Sequence, residues 1–185
     1  MTASETTFTD GSAYERQMGR WSKLAGRQFL DWLGVAPGLE WLDAGCGNGA
    51  FTEEIIALAK PSGIVGIDPA EGQIAFARAR AGAKAARFEI GDAQALPFAD
   101  ASFDIAVSAL VIAFIPDPAK GVSELFRVVR PEGLVASYMW DLPGGGLPLQ
   151  PIYSAMRRMG LSPAVPPSHA ASGSEAMQAL WQAAG

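Results

Sequence analysis

The sequence predicts an α/β fold with a doubly wound, mostly parallel sheet. Short apolar segments alternate with helical segments from residue 40 onward, and this alternation is typical of βαβ units. The apolar segments are rich in Ile, Val, Leu, Phe and Ala, as expected of strands that are buried on both faces. A glycine-rich loop follows the first of them, at the sheet edge where such folds bind ligands.

The elements follow in a regular order. A first amphipathic helix is predicted in GRWSKLAGRQFLDWLG, whose apolar residues recur at helical spacing and stop at Gly34. The predicted strands are EWLDA, GIVGID, ARFEIGD, SFDIAVSAL and GLVASYMW, and the helices among them are FTEEIIALAK, AEGQIAFARARAG and AKGVSELFRVVR. We expect a cover segment over 1–18, a ligand-binding core over 19–141, and a Gly/Pro-rich segment with C-terminal helices over 142–185.

Composition narrows the classes of function. The 185 residues, 49% hydrophobic and 18% charged, suit one globular domain, and a net charge of −5 argues against a nucleic-acid partner. Cys46 is the only cysteine, which excludes an internal disulfide and a multi-cysteine metal site and favours a cytoplasmic location. The N-terminus lacks signal-peptide features and the longest apolar run is too short to span a bilayer, so no membrane role is expected.

The glycine loop lies in EWLDAGCGNGAF and predicts a ligand cradle. Gly45, Gly47 and Gly49 can adopt positive φ angles and allow another molecule to approach the backbone. The loop also fits the dinucleotide fingerprint, with Gly45, Gly47 and Ala50 in its three slots, so it does not identify the ligand alone. Asp43 at the end of the strand would repel a pyrophosphate but suits a positively charged ligand, which argues against NAD.

Four ordered segments together resemble a known family. LDAGCGNGAF, GIDPAEGQIAFARARA, FEIGDAQALPFADASFDIAVSAL and FRVVRPEG resemble class I S-adenosylmethionine-dependent methyltransferases, in the type 11 or quinone-biosynthesis-like group. The resemblance covers residues 14–141. It implies a Rossmann-like sheet of strand order 3-2-1-4-5, S-adenosylmethionine as cofactor with S-adenosylhomocysteine as product, and methyl transfer by in-line displacement.

The resemblance also implies roles for residues that follow the strands. The matching positions are Asp43, Gly45, Gly47, Asp68, Pro69, Asp92, Ala93 and Ser108. In the family, the glycine loop holds the methionine part of the cofactor, and the acid after the second strand, here Asp68, binds both ribose hydroxyls. The acid after the third strand, here Asp92 with Ala93, contacts the adenine, and Ser108 would form the floor beside the sulfonium.

The segment YERQMGRW resembles a helix that covers the cofactor in one branch of this family. The resemblance implies that Arg20 pairs with the cofactor carboxylate and that Tyr14 closes the pocket over the methyl group. Arg20 has an alternative role as an ordinary surface residue of the helix.

Other assignments have structural alternatives. Asp43 and Asp68 are also good helix N-caps, and Asp92 after a glycine suits an Asx turn. Cys46 is expected to pack in the core, and His169 to lie in a solvated linker rather than act as a base. Asp141 and Tyr138 are placed by location where a base would lie, so the catalytic residues stay unassigned.

The acceptor is predicted to be a small, fairly hydrophobic molecule between the N-terminal cover and the segment PGGGLPLQ. Family members usually continue into two further strands that complete a seven-stranded sheet, whereas this chain ends at Gly185, as either a fragment or a naturally short protein. The fifth strand would then be an edge, covered by a partner copy in a homodimer, by the C-terminal helices or by sequence absent here.

Three interpretations therefore stay open at this point. The first is a methyltransferase, and the second is an NAD-type oxidoreductase domain supported only by the ambiguous fingerprint. The third is a module that binds S-adenosylmethionine without catalysis. Asp43 and the Gly91-Asp92-Ala93 segment favour the first over the second, and nothing in the sequence separates the first from the third.

Overall fold

Five parallel strands form a single sheet in the computed structural model, which describes residues 15–185 apart from the side chains of Arg16 and Gln17. The strands are β1 (Glu40–Ala44), β2 (Gly63–Asp68), β3 (Arg87–Ile90), β4 (Phe103–Ala109) and β5 (Val129–Tyr138). Their order across the sheet is β3-β2-β1-β4-β5, and every pairing is parallel. The predicted α/β class and the predicted strand order are therefore confirmed.

The described residues form six α-helices. They are α1 (Arg20–Leu33), α2 (Ala50–Ala59), α3 (Glu71–Ala79), α4 (Pro118–Val128), α5 (Gln150–Arg158) and α6 (Ser174–Ala184). A π-helical turn, Glu15–Gly19, leads directly into α1. None of the helices within residues 15–185 is both long and apolar enough to cross a membrane.

Alternate residues of β1 face two different parts of the core. Trp41 packs with residues of α1 and α2 on one face of the sheet, and it is fully buried. Leu42 packs on the other face with Leu125 of α4. Because both faces are covered, the apolar residues Trp41, Leu42 and Ala44 of this strand are all fully buried.

The fifth strand starts earlier than the sequence pattern indicates. The predicted segment GLVASYMW begins at Gly133, whereas β5 begins at Val129 directly after α4. Glu132 has a φ of 65°, and the pairing of β4 with β5 shifts register between Phe103 and Ile105. This irregularity lets the chain turn from the helix into the sheet without a separate loop.

Strand β5 is an edge of the described sheet, where it pairs with β4 alone. Helix α6 packs on α4 and the neighbouring turn, with Leu180 and Trp181 in the same cluster as Ile112 and Val122. The covering of the β5 edge stays a prediction.

Ion pairs attach helix α1 to helix α2. Glu54 of α2 is buried, and its carboxylate accepts a hydrogen bond of 2.6 Å from Arg27 Nε. Lys23 Nζ lies 3.0 Å from the other oxygen of Glu54. Phe29 of α1 also packs against Tyr138 with ring centroids 4.7 Å apart, so α1 has both polar and apolar anchors.

We expect Glu54→Gln to lower the free energy of unfolding by about 1–2 kcal/mol, because an amide keeps the shape but loses two charge-assisted contacts. Urea denaturation measures the loss. Glu175→Gln on the exposed first turn of α6 is the control and should change stability little. Equal stability of the Glu54 variant and the control would show that apolar packing alone holds α1.

Candidate functional site

The loop between β1 and α2 has its three glycines in the left-handed region. Gly45, Gly47 and Gly49 have φ angles of 81°, 51° and 76°. A Cβ at Gly45 would lie 2.5 Å from the side chain of Val111, whereas a Cβ at Gly47 would meet nothing within 4 Å. Close packing thus requires Gly45, and Gly47 leaves open space above the loop that a ligand could fill.

Asp43 lies at the carboxyl end of β1 and is fully buried. Its Oδ2 accepts a hydrogen bond of 2.6 Å from the hydroxyl of Thr52, in the first turns of α2. Its Oδ1 has no partner within the described part of the chain. Burial raises the pKa of Asp43 to about 7, with a smaller upward contribution from Asp68 and an opposing effect of the Thr52 hydrogen bond.

Asp68 ends β2 and ties the glycine loop to this strand. Its Oδ2 accepts a hydrogen bond of 3.0 Å from the backbone N–H of Gly47, and its Oδ1 accepts one of 2.9 Å from Ala70. Burial raises the pKa of Asp68, and these two backbone donors oppose that shift. Because each carboxylate oxygen has two acceptor positions, Asp68 keeps capacity for a ligand. Pro69 beside it is exposed.

The alternative role of Asp68 as the N-cap of α3 differs from the observed geometry. The N-cap of α3 is Ala70, and no side chain caps that helix. Asp68 instead shapes the link between β2 and α3.

The segment Gly91-Asp92-Ala93, which follows β3, lies beside Asp68. The N–H of Gly91 donates a hydrogen bond of 3.1 Å to the Asp68 carbonyl. Asp92 is exposed, and its Oδ1 accepts from the backbone N–H of Gln94 at 2.8 Å. The side-chain amide of Gln94 also donates to both Asp92 oxygens, at 3.1 and 2.9 Å. Asp92 therefore forms the Asx turn that the sequence allowed as an alternative, and Ala93 is buried.

Two serines lie side by side on β4 and β5. Ser108 is buried and aligned with Ser137 in the parallel pairing of the two strands. Neither hydroxyl has a hydrogen-bond partner within residues 15–185. Ser108 is a predicted site residue, whereas Ser137 is not, because only the register of the sheet places the two together.

Of the two residues predicted to cover the cofactor, the structure describes Arg20 but not Tyr14. Arg20 is the exposed first residue of α1 and forms no ion pair with any residue in the described range. Tyr14 lies outside the described residues, as does most of the predicted cover segment 1–18.

The structure also shows the surroundings of four residues that have no predicted cofactor role. Cys46 is buried, and burial raises its pKa well above that of a free thiol, which suits packing rather than nucleophilic attack. His169 is half-buried in a short helical turn, and Asp141 accepts a hydrogen bond of 2.8 Å from Gly144 N–H. Tyr138 packs against Phe51 with ring centroids 5.8 Å apart.

Sequence reasoning also missed Thr52 and Arg80. Thr52 follows Asp43 by nine residues and is the hydroxyl donor to it. Arg80 donates from Nε to the carbonyl of Asn48 in the glycine loop at 3.0 Å. The contact of Thr52 with Asp43 had a signal in the sequence, namely a threonine in the first turns of the helix after the loop. The contact of Arg80 with Asn48 joins residues 32 positions apart, so no local pattern indicates it.

The arrangement suits a ligand that carries positive charge and hydroxyl groups. The carboxyl groups of Asp43 and Asp68 flank the loop, and carboxylates at this location disfavour a pyrophosphate. A buried carboxylate oxygen without a donor gains free energy when a cationic ligand approaches it. Within residues 15–185, no group of His, Cys, Asp and Glu forms a metal site.

Comparison with known proteins gives a family match over most of the sheet. A family model described as a methyltransferase domain matches residues 42–137. A malonyl-[acyl-carrier protein] O-methyltransferase of Methylococcus capsulatus is 35% identical over 135 residues, which are 72% of this chain and 47% of that protein. A demethylmenaquinone methyltransferase of Deinococcus radiodurans is 38% identical over 108 residues, 57% of this chain and 45% of that protein.

Solved structures share the fold. The complex between the Haloferax volcanii Trm112 methyltransferase activator and a methyltransferase matches with a TM-score of 0.67 and 21% identity, over 95% of this chain and 71% of that chain. A methyltransferase of Thermotoga maritima matches with a TM-score of 0.67 and 22% identity, over 94% and 76% of the two chains. The present chain spans between about a third and a half of the length of the curated relatives it matches.

The buried Asp43 carboxyl predicts a pH-dependent stability. Because burial raises its folded pKa from 3.8 to about 7, the folded chain binds more protons than the unfolded chain in that window. The free energy of unfolding should therefore fall as the pH rises through it. Asp43→Asn removes this titrating group. The free energy of unfolding of the variant minus that of the natural chain should therefore increase by about 2–3 kcal/mol between about pH 5 and pH 8.

Urea denaturation of the ligand-free chain at several pH values measures this difference. Asp31→Asn, on the exposed face of α1, is the matched control and should leave the pH dependence unchanged. A constant difference between the Asp43 variant and the natural chain would contradict the raised pKa.

Proposed function

Because this chain belongs to the methyltransferase family whose domain model matches residues 42–137, we propose that it is an S-adenosylmethionine-dependent methyltransferase. The observation that carries the proposal is the fully buried Asp43, whose Oδ1 has no partner within the described residues and which directly precedes the glycine loop, where Gly47 leaves open space. A cationic ligand would supply the missing charge partner. NAD would bring a pyrophosphate to this loop, which Asp43 would repel.

The residues at the strand ends would hold different parts of this cofactor. Asp43 would act on the positively charged methionine end, with Gly45 and Gly47 lining the same part. Asp68 retains acceptor capacity for two ribose hydroxyls while it holds the loop through Gly47. This division of roles is supported by charge, since S-adenosylmethionine carries a sulfonium and an ammonium group and no phosphate.

Residues after β3 and on β4 would contact the adenine and the sulfonium. Asp92 would accept from the adenine amino group once its oxygens exchange the side chain of Gln94 for the ligand. Ala93 offers a backbone donor, and Ser108 offers a buried hydroxyl beside the methyl group. Arg20 and Tyr14 are proposed to close the site over the cofactor.

When bound, S-adenosylmethionine would supply a methyl group to an acceptor oxygen, nitrogen or carbon by in-line displacement, with S-adenosylhomocysteine as the leaving group. The main contribution of the chain is then to orient the acceptor and to exclude water from the site. Phe29, Phe51 and Tyr138 form an aromatic cluster where β5 ends and α2 begins, with centroids 4.7 to 6.1 Å apart. This aromatic cluster supports the proposal that the acceptor is small and fairly apolar. We assign no general base.

A cofactor-binding role without catalysis is the alternative. The chain spans about half the length of relatives named as methyltransferases, so binding and transfer are separate questions. We further propose a cytoplasmic location, supported by the unpaired Cys46, and a homodimer through the β5 edge, supported by the position of that strand. The net charge of −5 argues against a nucleic-acid acceptor.

Isothermal titration calorimetry with S-adenosylhomocysteine tests cofactor binding. We expect micromolar affinity for the natural chain and a loss of about tenfold or more in Asp68→Asn, because a neutral amide accepts ribose hydroxyls less well than a carboxylate. Asp31→Asn should bind as the natural chain does. NADH serves as the competing ligand, and tighter binding of NADH than of S-adenosylhomocysteine would overturn the proposal.

A further inference from the structure

The guanidinium of Arg80 joins three separate parts of the chain. Its Nε donates to the carbonyl of Asn48 in the glycine loop at 3.0 Å. One terminal nitrogen donates to Glu53 of α2 at 2.8 Å, and the other donates to Glu15 of the N-terminal turn at 3.0 Å. Its side chain is only 12% exposed and lies over the ring of Phe76, with 5.7 Å from the guanidinium carbon to the ring centroid.

The contact with Asn48 adds a side-chain restraint to the glycine loop, in which the N–H of Gly49 also donates to the carbonyl of Cys46 at 2.9 Å. Asn48 is buried and stands between two glycines with positive φ angles. Asp68 holds the N–H of Gly47 on one side of this residue, and Arg80 holds the Asn48 carbonyl on the other. The two contacts fix adjacent parts of the backbone, and glycine-flanked segments gain the most from such restraint because they have the most freedom to lose.

The contact with Glu15 connects the same arginine to the N-terminal turn. Glu15 is 44% exposed, so this ion pair is weaker than the buried contact with Asn48 and can open without disrupting the core. Met18 of the same turn is buried, and the turn continues directly into α1. The turn is therefore fastened beside the loop by one exposed charge contact and one apolar side chain.

We infer that Arg80 is a positioning residue that holds the glycine loop in its ligand-binding shape and fastens the N-terminal turn beside it. Loss of the Glu15 ion pair then weakens binding only through faster release of the cofactor, whereas loss of the Asn48 hydrogen bond weakens equilibrium binding more strongly. This inference rests on the proposed function. Lysine cannot replace Arg80, because a single ammonium group lacks the planar fork that reaches three acceptors at once.

The test compares Arg80→Lys and Glu15→Gln with the natural chain, using S-adenosylhomocysteine as ligand. Arg80→Lys should weaken equilibrium binding about tenfold, in line with the loss of a hydrogen bond from a charged donor. Glu15→Gln should leave the association rate unchanged and raise the dissociation rate about threefold in stopped-flow measurements. The matched control is Arg87→Lys, at an exposed arginine of β3 that forms an ion pair with Glu89 at 3.0 Å.

Hydrogen–deuterium exchange of the ligand-free proteins supplies a second readout. Peptides covering residues 45–53 should exchange faster in Arg80→Lys than in Arg87→Lys, and Glu15→Gln should accelerate exchange only in residues 15–24. A general loss of stability would accelerate exchange throughout the sheet, which distinguishes a structural effect from a positional one. Exchange in the loop that equals that of the control would overturn the inference.

The outcomes also separate the inference from the proposed function. If the natural chain binds S-adenosylhomocysteine and Arg80→Lys binds equally well, the inference is wrong and the proposed function stands. If the natural chain does not bind this ligand, the proposed function fails, and the exchange data still decide whether Arg80 holds the loop. If Arg80→Lys does not fold, the dissociation rate of Glu15→Gln decides, and a rate equal to that of the natural chain overturns the inference.

Discussion

The parallel pairing of β1 with β2 is the constraint on which the rest of the site depends. The pairing ends the two strands at the same level, and the N–H groups of Gly45 and Cys46 both donate to the carbonyl of Ile67, at 2.7 and 3.0 Å. The next donor, from Gly47, reaches the carboxylate of Asp68. Three consecutive residues of the loop are thus tied to the end of β2. Because parallel strands have their carboxyl ends at the same edge of the sheet, the residues of the candidate site lie together at this edge.

The buried placement of Asp43 lowers the stability of the fold. A carboxyl group with one satisfied oxygen in a fully buried position costs folding free energy, and the raised pKa expresses that cost. The surrounding core offsets it, since Trp41 and Leu42 of the same strand are completely buried on opposite faces. Functional sites commonly depart from the rules that stabilise the rest of a fold, and this acid is such a departure.

The N-terminal layer is attached to the site through polar groups of graded burial. Glu54 is 7% exposed and anchors α1 to α2, whereas the contact between Arg80 and the more exposed Glu15 anchors the preceding turn. Helix α2 begins in the glycine loop, so both attachments meet the loop or its helix. The N-terminal turn and the glycine loop are therefore linked through contacts with the same arginine.

The sequence by itself determined the α/β class, the alternation of strands and helices, and the glycine loop with its acids, because these depend on local residue patterns. Burial on both faces produces apolar strands, and strand ends are marked by Gly, Asp and Pro. A family resemblance added the strand order. The start of β5 was misplaced, since a bulge has no clear local pattern.

Only the tertiary structure decided which side chains meet. The alignment of Ser108 with Ser137, the contact of Thr52 with Asp43 and the convergence of three segments on Arg80 all join residues distant in the chain. Such contacts follow from register and helix packing, which depend on the whole core at once. The sequence thus predicted where the candidate site lies and which residue types it contains, and the fold decided how those residues are held.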